Sequence, residues 1–247
     1  MKYNLREPFF VKGGAIKMDA IKKWKNKSYL KQKFNNVLVD VEQYESQYNM
    51  EISRCSKKKV YFDDYLKNLH NEWYLADCPL YKIDVEEDIY NDIKNPYFSG
   101  PLEETPIENL LFIGKNTKTG AHIHVGPYDF VLNQIVGKKK VHLLDFEELT
   151  LNPLLSKRYN FSKENLFNLN ISKYKVHTFE LEPGDILYLP PWIWHAVENV
   201  GYSIGLTKVF KRDDDYLKLK RFKKLKYRNN FKKIINNIQS LIKFNNN

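Results

Sequence analysis

The chain has 247 residues, 43% hydrophobic and 28% charged, the make-up of an ordinary globular protein with room for one sizeable core. No run of about 18 uncharged apolar residues occurs, so no membrane span is expected. The residues after Met1 carry no apolar stretch, so no signal peptide is expected either. The formal charge of +10 belongs to the end of the chain, because residues 211–247 hold 12 Lys/Arg against 3 Asp while residues 1–210 are nearly neutral.

Residues 1–108 read as mixed α/β elements. Residues 8–11 form a short strand ended by Gly13-Gly14, 20–24 begin a helical segment, and 37–41 form a second strand. Apolar residues at 61, 62, 65, 66 and 69 have helical spacing. Residues 72–110, with Pro79, Pro96, Pro101 and Pro106, read as a loop-rich segment wrapping the core.

From Asn109 the pattern changes to short strands broken by turns. Strands are expected at 110–113 (stopped by Gly114), 121–125, 130–136 and 141–144, with a hairpin turn at Gly137 and its three lysines. Residues 178–181, the turn Glu182-Pro183-Gly184-Asp185, and strands at 186–189, 196–200 and 203–210 complete the set. Many short strands at this spacing predict a sandwich or barrel over 109–210. Residues 211–247 form a basic helical tail, with Phe231, Ile234, Ile235, Ile238, Leu241 and Ile242 on one helical face. Such a helix suits packing or homodimer formation, or nucleic acid contact through its lysines. Cys55 and Cys78, the only cysteines, form no C-x-x-C pair, so an intracellular protein of cytoplasm or nucleus is expected.

The chemistry centres on His122-Ile123-His124 and His195. Side chains at i and i+2 of a strand share a face, so His122 and His124 can project into a barrel together. His195 follows Pro190-Pro191-Trp192-Ile193-Trp194, where a strand ends and the chain turns, and could close the site. Neutral imidazoles suit iron, zinc, copper and nickel alike. By itself a pair of histidines at i, i+2 is more often structural, and His70, His142 and His177 are read as structural or surface residues. His142, alternating with Val141 and Leu143, could still face the barrel.

The frame around these histidines resembles the jumonji (JmjC)/cupin-8 family of Fe(II)- and 2-oxoglutarate-dependent oxygenases, over roughly residues 60–210. Thr119-Gly120-Ala121-His122-Ile123-His124 is similar to the family's T-G-x-H-x-D, and Gln134-Ile135-Val136-Gly137-Lys138-Lys139 to its Q-x-x-G-x-K. Glu182-Pro183-Gly184-Asp185, ending at Pro190, with Trp194-His195-Ala196-Val197-Glu198-Asn199, is similar to its P-G-D…P…W-H-x-V-x-N block. Trp73-Tyr74-Leu75-Ala76 is similar to the Y-L-x-Q segment of its asparaginyl and lysyl hydroxylases.

The resemblance implies a mainly β fold with flanking helices: a double-stranded β-helix (cupin, jelly-roll) domain over 1–210, with its core at 109–210. It implies Fe(II) at His122, His124 and His195, and 2-oxoglutarate as cosubstrate. Lys139 would pair with the distal carboxylate of that cosubstrate, and Thr119, Tyr74 and Thr207 would bond to it. The implied activity is hydroxylation of a protein side chain, with a tRNA base hydroxylase as a narrower variant that the basic tail would suit. Two departures stand out. His124 occupies the position of the family's Asp ligand, and Val209 lies near an Asn that holds the cosubstrate in many members. They open two alternatives: a catalytically degenerate metal-binding cupin, and a three-histidine dioxygenase. A second register makes His124 the first ligand with Gly126 in place of the Asp, similar to iron halogenases. Lys139 also reads as one more hairpin lysine, and Asp129 reaches the metal only if the loop after Gly126 folds back.

Overall fold

A computed structural model of the chain describes residues 7–43, 56–69, 73–95, 105–124, 126–144, 167 and 175–212. The basic tail beyond Arg212, His70 and Cys55 lie outside the described residues; Cys78 is buried as a free thiol. In chain order the elements are β1 (Phe9–Val11), α1 (Ala20–Lys23), α2 (Lys27–Lys33), β2 (Leu38–Gln43), β3 (Ser56–Tyr61) and α3 (Phe62–Lys67). Then come β4 (Trp73–Pro79), a 3-10 turn (Leu80–Lys82), α4 (Glu87–Asp92), β5 (Glu108–Lys115), β6 (Lys118–His122) and β7 (Tyr128–Leu144). Finally β8 (Val176–Leu181), β9 (Ile186–Leu189) and β10 (His195–Lys211) follow.

All strand pairs are antiparallel, in the order β1-β9-β7-β10-β5-β4-β2-β3, with β6 beside β10 and β8 beside β7. This is the mainly β architecture with flanking helices that the sequence leads one to expect. One face of the sheet carries Val131, Ile135, Ile204, Leu206 and Phe210 against the helices, where the rings of Phe34 and Phe62 stack at 4.2 Å. Helix packing is fixed by the fully buried Asp92, which accepts bonds from Lys23 Nζ (2.7 Å), Trp24 Nε1 (3.0 Å) and Tyr29 Oη (2.6 Å). A buried carboxylate needs such donors to replace lost water. The other face holds a second apolar cluster around Phe130, Val141, Leu143, Leu189, Val197 and Val209.

Three stretches differ from the sequence expectation. Residues 72–110 contain β4, the 3-10 turn and α4 rather than loop alone, and β5 runs through Gly114. The expected strands at 196–200 and 203–210 are one strand, β10. Residues 128–144 are likewise one strand of 17 residues, with no hairpin turn at Gly137. Gly137 instead holds φ 69° within the strand, beside a register shift between Val200 and Ile204 on β10.

A second register shift, with Gly205 opposite Gln134 and Ile204 opposite Val136, leaves Ile135 as an extra residue, and this bulge changes which side chains face inward. Up to the bulge, Phe130 and Leu132 point to the inner cluster and Val131 and Ile135 to the helices, and Val136 next to Ile135 packs on the helix side as well. After it, Val141 and Leu143 point inward, so the period of two has slipped by one residue. Of three consecutive lysines, Lys139 is therefore buried, while Lys138 and Lys140 reach outward to Glu182 and Glu180, each at 3.0 Å.

A Cβ at Gly137 would lie 1.9 Å from the Tyr202 carbonyl oxygen, whereas at Gly201 (φ 68°) it would meet nothing within 4 Å. Gly137→Ala is therefore expected to destabilise by roughly 2–4 kcal/mol, from left-handed strain plus a backbone clash. Gly201→Ala should lose only about 1 kcal/mol. Denaturant midpoints of the two variants give the comparison, and equal losses would contradict it.

Candidate metal centre

β6 ends at His122, whose Cα partner is His195 at the start of β10. His122 Nδ1 lies 2.9 Å from the Gly120 carbonyl and His195 Nδ1 lies 3.0 Å from the Ile193 carbonyl. A carbonyl can only accept, so each Nδ1 carries the hydrogen and each Nε2 keeps its lone pair for an ion. His124 lies past the end of β6, so strand alternation is not what brings it in. Its ring packs 4.0 Å from that of Phe130 and stacks on that of His195 at 4.9 Å. One ligand atom from each of the three histidines falls within 4.8 Å of the others.

Removal from water disfavours the imidazolium form of all three rings. Burial pushes His122 down to about 4 and His124 down to about 3, and mutual repulsion adds to the effect on His124. His195 lies well below its ordinary value for the same reasons, burial first. Three neutral imidazoles at neutral pH are a donor set for a first-row transition ion, with no proton to displace.

The histidines open into a pocket whose walls also include Tyr74, Thr119, Lys139 and Thr207. All seven residues singled out in the sequence thus line one pocket. Lys139 is 5% exposed, with its ammonium 5.2 Å from the centroid of the Phe112 ring. Burial pushes it down to about 8, against the pull of Asp77. Among the described residues it has no hydrogen bond or ion pair. Gly205 makes room for it, since a Cβ there would stand 2.6 Å from Nζ. Tyr74 is buried, which raises its hydroxyl, while the side chains of Asn199 and Thr119 beside it act in the opposite direction.

Other sequence candidates fall elsewhere. Asp129 is fully buried and bound to Arg212 and to Tyr188 Oη (2.6 Å), so its carboxylate serves the fold and does not join the histidines. His142 lies opposite Ala196, on the reverse face from His195, and its Nδ1 meets Thr178 Oγ1 at 3.0 Å. His177 is exposed on β8. Val209 packs in the inner apolar cluster. Sequence reasoning missed Glu42, Asp77 and Gly205. The first two line the pocket; Glu42 carries no spacing that sets it apart from surface acids, whereas Asp77 stands at the fourth place of the Y-L-x-Q segment counted from Tyr74.

Acid should unfold the metal-free protein through these rings. The unfolded chain takes up protons on them near the ordinary value of about 6.5, whereas the folded chain does so only near 4 and 3. Stability is thus fully present above 6.5 and falls as pH drops toward 4, by up to about 1.4 kcal/mol per pH unit for each ring. Thermal melts of the apo chain are expected to show this slope, and replacing the three histidines by Gln should flatten it.

The profile of the cupin-like domain family matches residues 3–216 of this chain. Lysine-specific demethylase JMJ30 of Arabidopsis thaliana is 27% identical over 219 residues, covering 81% of this chain and 49% of that protein. HSPB1-associated protein 1 of Homo sapiens is 26% identical over 161 residues, covering 59% of this chain and 32% of that protein. The fold is similar to that of YcfD from E. coli, with a TM-score of 0.54 at 15% identity, covering 87% of this chain and 55% of that one. The chain thus spans about half the length of the first of these relatives and a third of the second. Antiparallel strands around a histidine-lined pocket, together with a family match over most of its length, place the chain in the cupin-like, jumonji-type (Cupin_8) domain family.

Proposed function

We propose that the protein is an Fe(II)- and 2-oxoglutarate-dependent oxygenase that hydroxylates a protein side chain. The observation that carries this reading is the buried Lys139 ammonium, unpaired among the described residues, in the same pocket as three neutral imidazoles. A buried cation without a counter-ion is unfavourable unless a ligand supplies the anion. Three imidazoles leave the full charge of a divalent ion uncompensated, so the end of the pocket that holds the histidines and Lys139 suits a dianion spanning ion and lysine. Family membership and a relative named as a lysine demethylase are in keeping with an oxidised protein side chain.

Fe(II) with this cosubstrate and dioxygen supplies oxidation of a C–H bond, with release of succinate and carbon dioxide. His122 and His195 would hold the ion through Nε2, oriented by their Nδ1 bonds to Gly120 and Ile193. His124 would take the third place. Lys139 would pair with the distal carboxylate of the cosubstrate, and Thr119, Tyr74 and Thr207 would add hydroxyl bonds. Leu110, Phe130, Leu132, Leu189 and Val197 exclude water from the reacting end. His124 in the carboxylate position favours a second reading, a metal-binding cupin without turnover.

Two measurements separate them. Calorimetry with metal-loaded protein should detect 2-oxoglutarate, and a sensitive assay should find succinate that disappears in His195→Ala. Binding without succinate supports the second reading, and no binding at millimolar cosubstrate rejects the oxygenase.

Lys139→Met should weaken 2-oxoglutarate by roughly 30-fold or more, the loss of a charge-assisted pair. It should also raise the stability of the ligand-free chain by roughly 1–3 kcal/mol, because the buried charge is gone. The wild-type lysine stays charged in the unfolded chain up to about 10.5, but in the folded chain only up to about 8. Ligand-free stability is therefore expected to rise between pH 8 and 10.5, while cosubstrate affinity falls over the same range. Gly205→Ala should displace Lys139 and weaken cosubstrate by about tenfold without unfolding the chain.

A further inference from the structure

Gln134 is not among the residues that line the pocket, yet its side chain ends beside the lysine that does. On β7 it is the Cα partner of Gly205 on β10, and it is 1% exposed. Its Nε2 lies 2.7 Å from the Val136 carbonyl, 3.1 Å from the Gly137 carbonyl and 2.9 Å from Ser203 Oγ. The two carbonyls can only accept, so the amide nitrogen must stand on their side and Oε1 must point away from them.

Oε1 is buried and has no hydrogen-bond partner among the described residues. It borders the gap left by the absent side chain of Gly205, where a Cβ would stand 3.7 Å from Oε1 and 2.6 Å from Lys139 Nζ. Around one gap there is thus an acceptor without a donor and, among the described residues, a cation without a counter-ion. Each is unfavourable alone, and each supplies what the other lacks. A carboxylate ligand cannot relieve Oε1, because it too only accepts. An ammonium can, and its three hydrogens leave two for an anion in the pocket. The carbonyls that hold the amide belong to the bulge itself. The stretch that turns Lys139 inward therefore also aims the acceptor at it.

We infer that Gln134 is a positioning residue for Lys139: its Oε1 accepts from the ammonium, directly or through one water, and fixes where the charge is presented to an anionic ligand. That this ligand is 2-oxoglutarate rests on the oxygenase reading of the pocket.

The test is a double-mutant cycle on the full chain, with Mn(II) in place of Fe(II) so that no turnover occurs, reading 2-oxoglutarate affinity by calorimetry. Gln134→Met should weaken binding about tenfold, the effect of one bond to a charged group. In the Lys139→Met background it should add nothing. Equal losses in both backgrounds mark a residue that only holds the bulge, and overturn the inference.

The ligand-free chain gives a second reading. The titrating groups of the pocket besides Lys139 are Glu42 on β2, Tyr74 and Asp77 on β4, and the three histidines, and of these Asp77 pulls on the lysine. None is altered by the substitution. Without Oε1 the ammonium is less favoured, so the rise of stability that begins near pH 8 in the wild type should begin about one pH unit lower. An unmoved onset overturns the inference as well. Should Gln134→Met not fold, a crystal structure of the wild-type chain carries the test. Oε1 and Nζ joined directly or by one shared water support the inference, and an ammonium bonded elsewhere overturns it. No 2-oxoglutarate binding by the wild type, with the onset shifted in the variant, rejects the oxygenase and leaves Gln134 in its role; normal binding without coupling between the two residues rejects Gln134 alone.

Discussion

Along β7 the side chains facing the pocket are even-numbered as far as Leu132 and odd-numbered from Lys139 onward, and the switch is made in the irregular stretch of Ile135 to Gly137. A strand offers every second side chain to a given face, so a wall built from strands can place only alternate residues unless its period is broken. Here it is broken more than once. The irregularity at residues 135–137 brings in the lysine, that at residues 75–78 brings in Asp77, and β10 slips against β6 between His195 and Val197 beside the histidines. Each break lies next to a polar group of the pocket, and the regular stretches between them supply the apolar wall. The chemistry of the cavity is thus set by where the sheet departs from regularity.

Those groups divide the cavity by charge. Lys139 lies deep and buried, the histidines are neutral, and the carboxylates of Glu42 and Asp77 share the remaining wall. Among the described residues neither Lys139 nor Asp77 has an ion-pair partner, whereas the buried Asp129 is paired with Arg212 and Asp92 has three donors. The same chain therefore neutralises charge where it serves the fold and leaves it unpaired where the pocket opens.

Much of this is legible in the sequence where local chemistry decides the outcome. Pro183-Gly184 marks the turn before β9, and Asp185 closes it by accepting from Gly13 N and Glu182 N, each at 2.9 Å. The short β1, the helix at Phe62–Lys67 and the convergence of Tyr74, Thr119, Thr207 and the histidines follow from pattern and motif. What escapes is decided by tertiary pairing. A glycine before three lysines looks like a hairpin turn, and only the partner strand shows that it is a bend within one strand. The inward turn of Lys139 over its neighbours is likewise invisible without that slip. Asp77 stands at the fourth place of the Y-L-x-Q segment counted from Tyr74, yet nothing in its neighbours announces a left-handed backbone.

β10 is the strand on which β5, β6 and β7 all converge, and Thr207 meets Leu110 across nearly a hundred residues of chain. A ribosome releases these partners well before it releases β10. Until then β6 and the central part of β7 have no strand to close them, and His122 waits without His195. Contacts so distant in sequence form late and slowly, because the loop they close must first be ordered. The three imidazoles meet only when the last described strand docks, so the pocket is completed in the same event that closes the sheet.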